Sequence, residues 1–212
     1  MNVCVIGTGG REHTLAWRLN MSPSVDTVYA IPGSAAMTDV ATVVDMKWED
    51  TDALVTFLRD HDVKLVVVGP EAPLVAGLSD TLVAAGFPVF GPSKVAAQLE
   101  GSKVFAKDMM KKYDIPTAAY GVYSNPVEAK KFIAETGAPI VIKADGLAAG
   151  KGVVVAMTLD EANAAVDDML EGNRFGDAGS TVVIEEFMVG EEASLLAFAD
   201  GKTVVPMIAS QD

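Results

Sequence analysis

The residues best suited to chemistry in this chain are two lysines beside a run of glycines. Lys143 ends the apolar run Ile140-Val141-Ile142-Lys143, and soon after comes Gly146-Leu147-Ala148-Ala149-Gly150-Lys151-Gly152. An ammonium in an apolar strand is costly unless its charge is met, and a phosphate meets it well. A glycine-rich hairpin carrying a lysine can fold over a triphosphate and exclude water. The loop departs from a P-loop, which needs four residues before its Gly-Lys pair, a Ser or Thr after the lysine, and a helix to follow. Here Gly152 stands where the hydroxyl belongs, one residue is missing from the spacing, and Val153-Val154-Val155 is strand-like. The expectation is two strands joined by a lid. Side chains alternate along a strand, so from the strand alone Lys143 could equally face solvent.

A second glycine cluster, Gly7-Thr8-Gly9-Gly10, sits between an apolar run and a helical stretch. Such a turn lets backbone approach an anion, and a helix N-terminus offers free N–H groups there. As a dinucleotide signature it is poor, because Glu12 occupies the place of the third glycine and the strand ending Tyr29-Ala30-Ile31-Pro32 offers no ribose-binding acid. A tight turn without a ligand remains open. The third element is Val182–Met188 running into Val189-Gly190-Glu191-Glu192. An apolar strand with an acidic connector suits a purine, with backbone at the base edge and a carboxylate on ribose hydroxyls. Taken alone, the glutamates read as a solvated surface.

These segments need elements to hold them. Strand-like runs at Val3–Ile6, Thr27–Ile31, Leu65–Val68 and Pro88–Phe90 alternate with helical stretches at Arg11–Leu19, Glu49–Arg59 and Val75–Ala85. Continuous Val/Ile/Leu strands separated by helices indicate a parallel sheet covered on both faces, a doubly wound α/β unit. After a helix at Lys103–Tyr113 the style changes. A helix at Val127–Thr136, strands at Pro139–Ala144 and Val153–Met157, a helix at Leu159–Leu170 and a strand at Thr181–Phe187 indicate an antiparallel α+β unit. The boundary falls near Glu100, giving units 1–100 and 101–212. Lys107, Lys111 and Lys112 read as solvated helix residues.

The formal net charge of −13 disfavours nucleic acid as a partner, without excluding small phosphorylated ligands. No apolar run reaches the roughly 20 residues of a membrane helix, and the N-terminus lacks the basic flank and longer core of an export signal. One cysteine, Cys4, cannot pair within the chain, so a cytoplasmic setting is expected, with Cys4 as a buried hydrophobe. Nothing in the sequence fixes an oligomeric state.

In combination the motifs resemble one family. Gly9-Gly10-Arg11-Glu12-His13, Gly69-Pro70-Glu71-Ala72-Pro73-Leu74 and Gly91-Pro92-Ser93 are similar to the N-domain signatures of the phosphoribosylamine–glycine ligase family. Lys143 to Val153 resembles that family's ATP-grasp lid almost letter for letter, and Glu185-Glu186-Phe187, Gly190–Ser194 and Gln211-Asp212 continue the likeness. The resemblance covers the whole chain, and the ordered set of motifs is far more specific than any one of them.

The resemblance implies a Rossmann-like N-terminal substrate domain followed by a truncated ATP-grasp domain. Its lid subdomain would span about 121–187, and the larger subdomain would begin at 188–212. It also implies that ATP phosphorylates the carboxylate of glycine and that 5-phosphoribosylamine attacks the acyl phosphate, giving glycinamide ribonucleotide, ADP and phosphate. Carried over by position, Lys103 and Lys143 would contact the α and β phosphates, and Gly146, Gly150, Lys151 and Gly152 would cover them. Glu185, Phe187 and Met188 would form the adenine connector, with Glu192 on the ribose. Gly9, Gly10, Arg11, Gly69, Pro70, Glu71, Pro73 and Leu74 would face phosphoribosylamine. The family continues beyond Asp212, and the ligands for Mg2+ or Mn2+ are expected there, so the 212-residue chain is expected to lack ligase activity. A non-catalytic ATP-binding module and a different ATP-grasp ligase or carboxylase are the alternatives. An NAD-dependent dehydrogenase is disfavoured by Glu12.

Overall fold

The computed structural model describes residues 1–147, 152–172 and 180–211. Its first half contains β1 (Asn2–Gly7), α1 (Gly10–Asn20), β2 (Thr27–Pro32), β3 (Thr42–Val43), α2 (Thr51–Asp60), β4 (Val63–Val68), α3 (Glu71–Ala76), α4 (Leu78–Ala84) and β5 (Val89–Phe90). The strands form one sheet in the order β3-β2-β1-β4-β5, and every pairing is parallel. Alternation sends Val3 and Val5 to one face, where they pack with Ala16 of α1, Val28 and Val67. Cys4 and Ile6 go to the other face, against Leu54 and Leu58 of α2 and Leu78 and Leu82 of α4. Both faces are covered, which is why the strand reads as an unbroken apolar run. Strand order reverses at β1, with β2 on one side and β4 on the other. That places the turns after β1 and β4 at the crevice where open α/β sheets bind ligands.

Two helices differ from the expected pattern. Val75–Ala85 is not one helix: Gly77, at φ +100°, ends α3 and begins α4 in left-handed backbone that glycine adopts without strain. A further helix, α5 (Lys94–Gly101), lies outside the expected helical stretches, its first turn capped by Ser93 accepting from the Ala96 N–H.

The second half contains α6 (Lys103–Lys112), β6 (Tyr120–Tyr123), α7 (Pro126–Thr136), β7 (Ile140–Ala144), β8 (Val153–Ala156), α8 (Leu159–Leu170), β9 (Val182–Glu186), β10 (Ala197–Ala199) and β11 (Val204–Pro206). Four of these strands make an antiparallel sheet, β6-β9-β7-β8. β7 and β8 are the two strands expected on either side of the glycine loop, and no helix follows it. Helices α7 and α8 cover one face, where Ile133, Val166 and Met169 meet Ile140, Ile142, Ala144, Val182 and Ile184. Burying each such Ile, Val or Met is worth about 1.5–3 kcal/mol. β10 and β11 pair as a separate hairpin, and Leu195, Leu196, Phe198 and Ile208 are exposed around it. No helix among the described residues is long and apolar enough to cross a membrane.

Candidate functional site

The register of the antiparallel sheet decides where Lys143 points. Ile140, Ile142 and Ala144 of β7 are buried under α7 and α8, so Val141 and Lys143 project from the opposite face. On β9, Val182 and Ile184 join the same core, which leaves Val183 and Glu185 beside Lys143. Val141 pairs directly with Glu185 and Lys143 with Val183, so Lys143 and Glu185 are diagonal neighbours, within reach of long side chains. The Lys143 ammonium donates to Glu185 Oε2 at 2.9 Å. The counter-charge expected of a phosphate is therefore already met, within the protein, by a carboxylate.

Helix α6 closes the other side. Its N-terminus is fastened to the end of β7: Ser102 Oγ lies 3.2 Å from both carboxylate oxygens of Asp145, and the Val104 N–H donates to Asp145 Oδ1 at 3.2 Å. A carboxylate there also suits the partial positive charge of a helix start. The clip brings Lys103 onto the beginning of the glycine loop, where its ammonium donates to the Gly146 carbonyl at 3.1 Å. One turn on, Lys107 shares the same helix face. It is not the solvated helix residue expected: it is 6% exposed, with its ammonium 3.3 Å from Glu185 Oε2, 2.7 Å from Thr117 Oγ1 and 3.3 Å from the Ala118 carbonyl. The physical reason is Glu185, itself 7% exposed, because a buried carboxylate makes a buried lysine tenable.

Between these elements lies a cleft of about 290 Å3 lined by Lys103, Lys107, Lys143, Glu185, Glu100 and Leu99 among others. Three ammoniums facing two carboxylates leave it with a net positive lining inside a strongly acidic protein. Such a cleft suits an anion with several charged oxygens, and a phosphate chain is one.

Sequence reasoning brought together Lys103, Lys143, Gly146 and Glu185, and the structure gathers these four. Gly152 is buried at the start of the return strand, its carbonyl accepting from the Ala144 N–H at 2.8 Å. Gly150 and Lys151 lie outside the described residues. Phe187 is half-buried after β9, whereas Met188 and Glu192 are exposed and do not line the cleft. Lys107 and Asp145 are the residues that reasoning missed. The available signal for Lys107 was its i+4 spacing from Lys103.

The N-terminal turns form a second pocket of about 430 Å3, lined by Gly7, Thr8, Gly9, Glu12, Pro32, Lys47, Trp48, Glu49 and Pro70. Glu12, read in the sequence as a defect in a glycine motif, organises it. Its side chain is buried and fills the space beside Gly7, Gly9 and Gly69, where an added Cβ on any of the three would clash with it. The Gly9 N–H, offered by the sequence to a phosphate, donates instead to Glu12 Oε2 at 2.7 Å. Glu12 Oε1 is buried without a hydrogen-bond partner among the described residues, and Arg11 Nε lies 3.9 Å away.

Arg11 and Glu71 link the turns after β1 and β4 by a 2.9 Å hydrogen bond across the crevice. The Glu71 carboxyl is held below the usual carboxylate range, first by its own backbone N–H in the opening turn of α3 and then by Arg11. Its hydrogen bond in turn raises the Arg11 guanidinium. Pro73 is buried and Leu74 packs on the sheet core, so these two shape the turn rather than present side chains to the pocket. Lys47 and Trp48 were not anticipated. Among the described residues no three His, Cys, Asp or Glu side chains converge as a metal ion would require.

Comparison with known proteins gives a consistent pattern. The family model described as Phosphoribosylglycinamide synthetase, N domain, matches residues 1–100, and the one described as Phosphoribosylglycinamide synthetase, ATP-grasp (A) domain, matches residues 101–212. Phosphoribosylamine–glycine ligases of Halalkalibacterium halodurans and Vibrio cholerae are 56% and 55% identical to the chain over its whole length, which covers 50% of each. The chain thus spans about half the length of the curated relatives it matches. The crystal structure of phosphoribosylamine–glycine ligase from Thermotoga maritima superposes with a TM-score of 0.83 at 33% identity, over 99% of this chain and 49% of that one. A biotin carboxylase–ATP complex from Campylobacter jejuni, at 15% identity and a TM-score of 0.73 over 96% of this chain and 49% of that one, shares the fold alone.

Proposed function

The chain belongs to the phosphoribosylglycinamide synthetase family, and from that premise we propose that it supplies the nucleotide-holding half of an ATP-dependent ligase joining glycine to 5-phosphoribosylamine. The observation that carries the reading is the convergence of Lys103, Lys107 and Lys143 on one cleft. In the reaction, a glycine carboxylate oxygen takes the γ-phosphoryl group and ADP leaves. The amine of phosphoribosylamine then attacks the acyl carbon, and phosphate departs as the amide forms. Fixed cations are favourable for such a transfer because they meet charge spread over the moving phosphoryl oxygens, in a site that shields the acyl phosphate from water.

Within this reading Lys103 and Lys143 hold the α and β phosphates, and Gly146–Gly152 covers them. Glu185, Phe187 and Met188 form the adenine connector, with Glu192 on the ribose. The crevice at Gly9, Gly10, Arg11 and Gly69–Leu74 receives phosphoribosylamine, and Glu12, Lys47 and Trp48 join it. Residues 1–100 form the substrate unit and 101–212 part of the ATP-grasp unit, in the cytoplasm. Mg2+ or Mn2+ accompanies ATP in this chemistry, and the described residues offer it no carboxylate set.

The test is glycine-dependent ADP release with 5-phosphoribosylamine by the polypeptide extended to the family's full length. Turnover with glycine and not with other carboxylates supports the reading. Turnover with a different carboxylate overturns the substrate assignment. The 212-residue chain alone is expected to bind ATP without ligating, and amide formation by it would contradict that expectation.

A further inference from the structure

Lys107 is a buried cation that adds charge to the cleft but is assigned no phosphate to hold. Its ammonium and that of Lys143 meet on the same atom, Glu185 Oε2, at 3.3 and 2.9 Å. The two lysines are otherwise unlike. Lys107 has a side chain 7% exposed, held also by Thr117 Oγ1 and the Ala118 carbonyl, and its ammonium lies 5.2 Å from the Tyr120 ring centre. Lys143 has a side chain 28% exposed, on the wall of the cleft. One cation is fixed by several partners, and the other has Glu185 as its one partner among the described residues and borders the cleft.

We propose that Lys107 is a positioning residue: the standing counter-ion of Glu185, which allows Lys143 to leave that carboxylate for a phosphate chain in the cleft. The inference rests on the reading of the cleft as a nucleotide-phosphate site. If Lys143 were the only counter-ion, its departure would strand a buried carboxylate, and the incoming anion would compete with Glu185 for one ammonium. With Lys107 in place, Glu185 keeps a cation throughout, and Lys143 exchanges one anionic partner for another. Lys103, anchored on the Gly146 carbonyl, has no carboxylate partner among the described residues to give up when it meets a phosphate.

The test is calorimetric titration of AMP-PNP into the 212-residue chain and into K107M, E185Q and K107M/E185Q, with thermal melts as folding controls. K107M is expected to bind about tenfold more weakly or worse, the scale of a close charge-pair coupling. Adding E185Q removes the competing charge while keeping the connector backbone that meets the base edge, and K107M/E185Q is expected to recover most of that loss. A purely structural role for Lys107 gives a double variant at least as weak as K107M, which overturns the proposal. Should K107M fail to fold, K107Q and K107R decide: weaker binding by K107Q that K107R restores supports the exchange, and K107Q binding as tightly as the unaltered chain overturns it. Unchanged binding in a folded K107M overturns only this inference. No binding by the unaltered chain overturns the nucleotide reading and this inference with it.

Discussion

Lys143 and Glu185 stand diagonally across the β7–β9 ladder and share a 2.9 Å hydrogen bond on the face that α7 and α8 leave uncovered. The pair joins the fold to the function proposed for it. Strand register fixes which face each side chain takes, and the pairing keeps an ammonium poised at the cleft wall without a ligand.

Replacing Lys143 by Met removes one charge-assisted contact to phosphate, worth about 1.5–3 kcal/mol, or about 10- to 150-fold in affinity. AMP-PNP titration is expected to register a loss of that size. The melting temperature should move by only a few degrees, because Glu185 retains Lys107.

Glu185→Ala acts on stability as well. It leaves the Lys107 ammonium buried without its carboxylate, a change that costs about 3–5 kcal/mol. The Thr117 hydroxyl and Ala118 carbonyl remain as acceptors, which puts the expected loss at the lower end. Urea denaturation of the variant measures it.

Gly69→Ala drives a methyl group into the Glu12 side chain. Overpacking of this kind costs about 1–3 kcal/mol. Adding Glu12→Ala empties that space, so the double variant should be more stable than the sum of the single changes implies. Additive effects in the double-mutant cycle would show that Glu12 does not fill the gap between the turns.

Burial pushes the Cys4 thiol up to about 12 from its ordinary 9.0. The folded chain should resist iodoacetamide at pH 8 and react once denaturant is added. Because the folded value is the raised one, the thiol leaves stability untouched below about pH 9 and erodes it as pH climbs from there toward 12. Comparison with Cys4→Ala separates the thiol from the lysines and tyrosines that titrate in the same range, and identical profiles would show Cys4 to be solvated.

Much of this architecture was legible because local pattern and tertiary setting agree. Val3–Ile6 and Leu65–Val68 read as doubly covered parallel strands, and they are. The valines after Gly152 identify a return strand, which is enough to exclude a P-loop. Where reading failed, the deciding partner is distant in sequence. Lys107 looks like any lysine on a basic helix until β9 brings Glu185 beneath it. Glu12 looked like a missing glycine, and only the approach of Gly69 reveals what it fills. The break at Gly77 requires knowing that its φ is positive, and β6, with Gly121 inside a short run, gains its identity from pairing with β9.

The most direct test of the central claim is backbone chemical-shift mapping of the 212-residue chain during titration with AMP-PNP. Saturable shifts at Lys103, Lys107, Lys143, Gly146 and Glu185 are the predicted result. Saturation with shifts confined to Gly7, Gly9, Lys47 and Trp48, or no saturation at all, would contradict it.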